Sequence, residues 1–507
     1  MQKNMPNIIT KATVMIYAMA ASLLAYSQNT FERVFDDFGD SEIRAAIETS
    51  DNDFIFSVTK EGTIAANDLL MKVSSKGELI ATLDCEIADG YLRYLGLFEH
   101  PELCDTFLAP ALVCDGQAAR EISIVSFDKD LKVIDEKRVV FADIIADLSP
   151  VVLPSVTVNG REIAVAAHVL LDDHSYAQFY VRMNIDGLLL YEGLDYKYNT
   201  ISFFVSSISL IDEHNKHFAV LNQASFQGGH QLFVETLDST MCVEKSQMLK
   251  YDNSGGQDYI SYCPFDTPIL KSLNDTTIVA NVMTDVFKSN GEIYHGNCLV
   301  SLDHNLTTTG TSLYFYDKVN TAVRLPLRSS FDIGDDCLVS CSVINWYSNH
   351  PMYKTQCLVT KYDAEMNVVW QRFVNKKEGY YYPHFVLGTE DGGSLIAGYS
   401  CDLSYQHGYS YILKTDSDGY LSINELDDLE IKPVAVYPNP CTTNVNVEVS
   451  PDVKIENVSL FDISGRLVKA QQSDFGSIDI SNFAPGMYVM KVTLDDGKVF
   501  EEKIVKK

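Results

Sequence analysis

From Phe31 to about Tyr420 the chain alternates apolar and polar residues in short runs broken by Gly, Asn and Asp. Phe54-Ile55-Phe56-Ser57-Val58 and Ser394-Leu395-Ile396-Ala397-Gly398-Tyr399 are typical. A period of two predicts half-buried β-strands, and the breaking residues predict turns. One unit recurs: a strand that runs into a polar turn, most often centred on Asp. Its turns fall at Ser74, Asp128, Asn184, Asp238, Asp303, Asp363 and Asp416, in steps of 54, 56, 54, 65, 60 and 53 residues. Even spacing of that size in an all-β chain predicts a propeller or an array.

Each unit reads as four strands. In the last, His384–Leu387, Ser394–Tyr399 and Tyr409–Lys414 are the first three. The unit before it ends on the clearest fourth strand, Val369-Trp370-Gln371-Arg372-Phe373-Val374. Phe31-Glu32-Arg33-Val34-Phe35 resembles that fourth strand yet precedes the first full unit, so it is predicted to complete the last blade and remove the free sheet edge. Seven such units resemble a seven-bladed β-propeller, and Glu390–Tyr399 is similar to extracellular bacterial repeats of the Asp-Gly-Gly type. Two stacked sandwiches are the alternative.

In an up-and-down blade, first-to-second and third-to-fourth turns share one face. Here they are short. The second-to-third loops and blade connections share the other face and are longer, which makes it the candidate surface. Predicted loops there carry His174, His230, His295, Trp346 with His350, and His407; the connections add Tyr380, Tyr381 and Tyr382. Aromatic rings among hydrogen-bonding groups suit sugars or peptides. The same residues are also ordinary loop residues.

The pattern changes at the end of the chain. Shorter alternating strands follow Tyr437-Pro438-Asn439-Pro440. Asp462-Ile463-Ser464-Gly465-Arg466 forms a turn, Pro485-Gly486-Met487-Tyr488 opens a strand, and Lys503-Ile504-Val505-Lys506-Lys507 ends the chain. This stretch resembles the type A C-terminal sorting domain of proteins exported by the bacterial type IX secretion system. The resemblance implies a small immunoglobulin-like β-sandwich, with Pro438, Asn439, Pro440, Asp462, Gly465, Arg466, Gly486, Tyr488, Lys503, Lys506 and Lys507 as the sorting signal. It implies the export machinery as partner, passage through the periplasm, and a cargo attached to surface lipopolysaccharide or released. At the other end Lys3 and Lys11 precede an apolar run from Ala12 to Ala25, and Ala25-Tyr26-Ser27 is a small-x-small site. This predicts a signal peptide cut between Ser27 and Gln28. The expected order is signal 1–27, propeller 28–424, linker 425–433 and sorting domain 434–507.

A net charge of −30 excludes nucleic acid as a partner. Eleven cysteines in an exported chain permit disulfides, and Cys341 and Cys357 are expected on successive strands where they could meet. No Gly-x-Ser-x-Gly elbow, His-Glu-x-x-His helix or phosphate-binding glycine loop is present. Asp416-Ser417-Asp418-Gly419 matches only part of a calcium loop, so calcium is a weak expectation and no metal or other cofactor is assigned. No catalytic residue is assigned, although the abundant carboxylates leave a catalytic pair open. The leading expectation is a non-catalytic binder of glycan or protein. A glycoside hydrolase or lyase on a propeller scaffold is second, and a structural surface component third.

Overall fold

The computed structural model describes residues 30–507 apart from 61–67, 86, 88–89, 116–117, 142–153, 171–175, 196–201, 213–216, 227–228, 251–258, 264–268, 275, 290, 316–322, 326–329, 335–337, 345–354, 375–379, 402–407, 422–433, 438–440, 450–453, 463–464, 474, 476 and 496–498. The signal segment, its cleavage site at Ser27 and Gln28, and the linker lie outside the described residues. The chain divides into two compact units, up to Ile423 and from Asn424.

Among the described residues the first unit is built from seven antiparallel sheets of four or five strands. Sheet one, for example, runs Ser41–Glu48, Phe54–Lys60, Leu69–Val73, Leu79–Asp84. The first strands of successive sheets touch. Ser155–Asn159 meets Ser202–Asp212, which meets Ile269–Asn274, then Phe331–Ile333, then Tyr380–Gly388, which reaches Ser41–Glu48. A buried apolar cluster joins each sheet to the next. Leu70 and Phe107 share one cluster, Ile122 and Ile163 the next, then Ala166 and Ile208, Leu221 and Ile278, Leu299 and Phe331, Cys357 and Tyr411, and finally Phe385 and Phe56. Each sheet therefore buries both faces against neighbours, which is propeller geometry. Phe31–Phe35 closes the ring. It pairs antiparallel with Gly408–Thr415 in the last sheet, Phe31 opposite Lys414.

The turn chemistry explains the repeat. The Asp128 carboxylate accepts the backbone N–H groups of Asp130 and Lys132. Asp238, Asp303, Asp363 and Asp416 do the same two and four residues on. An Asp side chain thus satisfies donors that the tight turn leaves unpaired. The residue three after it takes a left-handed conformation: Leu131 at φ 61°, Met241 at 56°, Leu306 at 64° and Met366 at 64°, against glycine at 77, 187 and 419. The choice follows the neighbouring sheet. Leu131, Met241 and Leu306 are buried in inter-sheet clusters. At Gly77 a Cβ would meet the Phe31 ring at 2.7 Å, and at Gly419 the Trp370 ring at 2.8 Å. Phe31 in the closing strand thus occupies the place that Trp370 holds in the sheet before the last. Trp370 is further fixed by donating its indole N–H to the Ser417 carbonyl, 2.9 Å.

The second unit is a two-sheet sandwich. Val434–Tyr437, Asn444–Val449 and Ile478–Asp479 form one sheet, and Leu467–Gln471, Ile455–Asp462, Gly486–Leu494 and Val499–Lys506 the other. Val445 and Ile478 from the first pack with Leu460, Met490, Val492 and Ile504 from the second. Its Asp462 turn repeats the propeller's chemistry: Arg466 N–H donates to the Asp462 carboxylate at 3.1 Å, and Gly465 sits at φ 81°.

Candidate functional site

The long-loop face was the expected working surface. His174, Trp346, His350 and His407 lie outside the described residues. The others are on strands, a correction to their expected loop positions. His230 stands at the start of Gly229–Leu237, opposite Ser225. His295 lies in Ile293–Asp303, with its Nδ1 2.7 Å from Asp285 Oδ1 across the sheet. Tyr380, Tyr381 and Tyr382 open the first strand of the last sheet rather than a connection. Tyr381 is buried edge-on against Tyr411, with its hydroxyl 3.2 Å from Glu32. Tyr382 is buried in a stack on Tyr399, ring centroids 4.7 Å apart. These two rings serve inter-strand packing.

Beneath the same face the first strands bring together a charged cluster that the sequence did not single out. Glu42 and Arg44 stand at the start of Ser41–Glu48, and Arg44 Nε donates to the Glu42 carboxylate. The pairing register slips between Ile43 and Ala45, so Arg44 is the extra residue of a bulge. His384 is the extra residue of a second bulge, between Pro383 and Phe385 in the last sheet. Its Nε2 lies 3.6 Å from Glu42, and its Nδ1 lies 3.1 Å from the Ile43 carbonyl. Bulges re-aim side chains, and both here aim at Glu42.

Asp68, directly before the strand Leu69–Val73, is fully buried. It accepts from Arg93 at 2.6 Å, Thr59 hydroxyl at 2.7 Å and Tyr94 N–H at 2.9 Å. Burial pushes its carboxyl above the usual range, opposed by the charges of Arg93 and Arg44. Arg93 lies 5.2 Å over the Tyr91 ring. Arg44 Nη1 is buried without a hydrogen-bond partner. The result is a nearly neutral set of two carboxylates, two guanidiniums and an imidazole, drawn from three adjacent sheets. It offers proton-exchanging groups and an unused donor. No sequence motif could announce it, because Glu42 and Asp68, Arg93, and His384 belong to three different units. Among the described residues no three His, Cys, Asp or Glu side chains converge as a cation site.

The second unit gathers its own landmarks. Asp462 stands opposite Tyr488, Tyr488 opposite Ile504, and Gly486 opposite Lys506. Cys441 N–H donates to the Val505 carbonyl and Lys507 N–H to the Cys441 carbonyl, both 2.9 Å. Residues 435–507 match the model of the secretion system C-terminal sorting domain. This unit is a sorting domain. The chain is thus an exported protein, delivered through the periplasm to the cell surface or beyond by the type IX machinery that reads this tail. Among curated proteins, an ulvan lyase of Nonlabens ulvanivorans is 35% identical over 83 residues, 16% of this chain and 15% of that relative. An alignment that short cannot hold the propeller. Solved structures overlap loosely. Polysaccharide lyase Uly1 has a TM-score of 0.41 at 10% identity, covering 74% of this chain and 90% of that one. An α-L-arabinanase of Penicillium chrysogenum has 0.37 at 12% identity, covering 67% and 99%.

Proposed function

We propose that the propeller cargo is a secreted enzyme that cleaves polysaccharide, by hydrolysis or elimination, rather than a non-catalytic binder. One observation carries this reading: two first-strand bulges place Arg44 and His384 against Glu42 under the long-loop face. One of Glu42 and His384 gives its proton to the glycosidic oxygen as it leaves, the other takes a proton from the attacking water in hydrolysis or from the ring carbon that becomes part of the double bond in elimination, and Arg44, with its unused donor, holds the sugar. An acid–base pair of this kind contributes roughly 10² to 10⁴ in rate. Sharing a stretch of sequence with an ulvan lyase is in keeping with a degradative role. Asp68 and Arg93 form the supporting layer.

The test is incubation of the purified full chain with a panel of neutral and acidic polysaccharides. Reducing ends without ultraviolet absorbance indicate hydrolysis, and an absorbing unsaturated end indicates elimination. Glu42→Gln and His384→Gln should each abolish product formation while substrate retention on affinity gels persists. Retention without any product from the wild-type protein would make the cargo a binder and overturn the enzyme reading.

A further inference from the structure

In the fifth sheet of the propeller, Thr277–Phe287 and Ile293–Asp303 pair along their whole length, from Thr277 opposite Asp303 to Phe287 opposite Ile293. Tyr259–Cys263 adds a third strand at the long-loop end, with Tyr259 opposite Phe287. Opposite residues share a face and every second residue returns to it. Tyr259, Phe287, Ile293, Asp285, His295 and Asn297 therefore stand in one row. Asn297 shows where the row faces: its Nδ2 donates to Ser340 Oγ of the sixth sheet, 3.3 Å. Below it, Val279 and Leu299 are sealed against Phe331 of that sheet. The row thus climbs the seam between the two sheets toward the long-loop face.

Exposure rises along it. Asn297 is buried, and its Oδ1 has no hydrogen-bond partner among the described residues. The side chains of Asp285 and His295, joined at 2.7 Å, are about a quarter exposed. At the top Phe287 is 37% exposed and Tyr259 59%, their ring centroids 5.8 Å apart. Two touching rings held in water above a row of hydrogen-bonding groups match the two faces of a sugar, whose ring C–H groups stack on aromatic carbon while its hydroxyls need polar partners. Charge narrows the class. No Lys or Arg stands between Asn297 and Tyr259 in this row, and Lys271, opposite Val279 at its base, is taken up by Asp332. Nothing there receives a carboxylate or sulfate, and the chain's net charge of −30 repels both. We propose that this row binds a neutral saccharide unit of a polysaccharide, stacked on Tyr259 and Phe287 with its hydroxyls held by Asp285, His295 and the spare Asn297 acceptor. The site is separate from the Glu42–His384 cluster, which draws on the first, second and last sheets, and it holds sugar whether or not that cluster cleaves it.

The experiment is affinity electrophoresis of the purified full chain in gels containing laminarin, arabinan or galactomannan as neutral probes, and alginate as the acidic one. Retention is expected on at least one neutral probe and not on alginate. Tyr259→Ala with Phe287→Ala should weaken it about tenfold, the scale of a lost binding anchor. Both rings are exposed, so the melting temperature should hold. Tyr259→Phe with Phe287→Tyr keeps the rings and should keep retention. Asp285→Ala with His295→Ala should weaken it independently. No retention on any neutral probe, retention on alginate alone, or retention that survives loss of both rings would overturn the site. Glu42→Gln keeps the two readings apart, because retention through the rings should be unchanged in it. Ring-dependent retention by a wild-type protein that forms no product refutes the enzyme reading alone. Product formation with retention indifferent to the rings refutes this site alone.

Discussion

Asp68 gives the sharpest test of the charged cluster. Replacing it with Ala leaves Arg93 charged and 7% exposed, with its 2.6 Å partner gone. It also strands the Thr59 hydroxyl and the Tyr94 N–H. Breaking a buried ion pair from one side costs roughly 3–5 kcal/mol. The two stranded donors draw on the same desolvation, so the expected loss is about 4 kcal/mol. Asp68→Asn should recover only part of it, because it leaves the guanidinium unneutralised. Asp68→Leu with Arg93→Met removes both charges and should lose less than Asp68→Ala alone. The assay is urea unfolding of the full chain followed by tryptophan fluorescence, which reports the propeller because both tryptophans, Trp346 and Trp370, lie in it. A loss under about 1 kcal/mol, the scale of an exposed pair, would show that water reaches Arg93 and would refute the buried cluster.

Three other outcomes are expected. Burial pushes the His168 imidazole down from 6.5 to about 4. Its unfolded form then takes up a proton first as pH falls, so the contribution is complete above pH 6.5 and fades toward pH 4. At ~1.4 kcal/mol per unit the loss approaches about 3 kcal/mol. Urea midpoints that fall no less steeply in His168→Gln than in wild type would contradict this. Gly77→Ala and Gly291→Ala both place Ala at positive φ, 81° and 87°. Only the first drives a Cβ into a neighbour, the Phe31 ring. Each should lose about 1 kcal/mol from the backbone, and Gly77→Ala clearly more; equal melting temperatures would deny Phe31 its closing role. Tyr381→Ala should destabilise the propeller by roughly 3–5 kcal/mol, as a buried aromatic does, and an unchanged unfolding midpoint would return Tyr381 to the surface.

Much of the fold was legible because its signals are local. A polar side chain that accepts backbone N–H groups of its own turn (Asp at five turns, Ser74 and Asn184 at two) and a left-handed residue three later recur after the third strand of each unit. The likeness of Phe31–Phe35 to the strand around Trp370 was legible for the same reason: both fill the space beside a turn glycine. The sorting domain was legible because its landmarks are compact in sequence. The charged cluster was hidden, since Arg44 and His384 reach it only through bulges, and a bulge is decided by the partner strand. Histidine and tyrosine content misplaced Tyr381 and Tyr382, because an aromatic near a loop and one that starts a strand look alike until pairing is known. Cys341 and Cys357 do lie on paired strands, with Cys341 opposite Val359 and Cys357 opposite Val343. Both thiols are buried, Cys341 Sγ 3.9 Å from the Ser342 carbonyl and Cys357 Sγ 3.7 Å from the Tyr411 hydroxyl. That diagonal offset corresponds to roughly 7–8 Å between Cα atoms, long for a disulfide.

The closing strand also sets a schedule. Phe31 is made 383 positions before its partner Lys414. At about 5–20 residues per second, that strand waits roughly 20–80 s for its place. Until then the first sheet lacks the neighbour that covers Phe54, Phe56 and Val58, and that apolar face is open to wrong contacts. The sorting tail follows Lys414 in the chain. A chain cut short by ribosome stalling or a protease before Gly408 therefore forfeits ring closure and export address together. Fragments of that kind stay behind with that face uncovered, available for degradation, while every molecule that carries the tail also carries the strand that completes its ring.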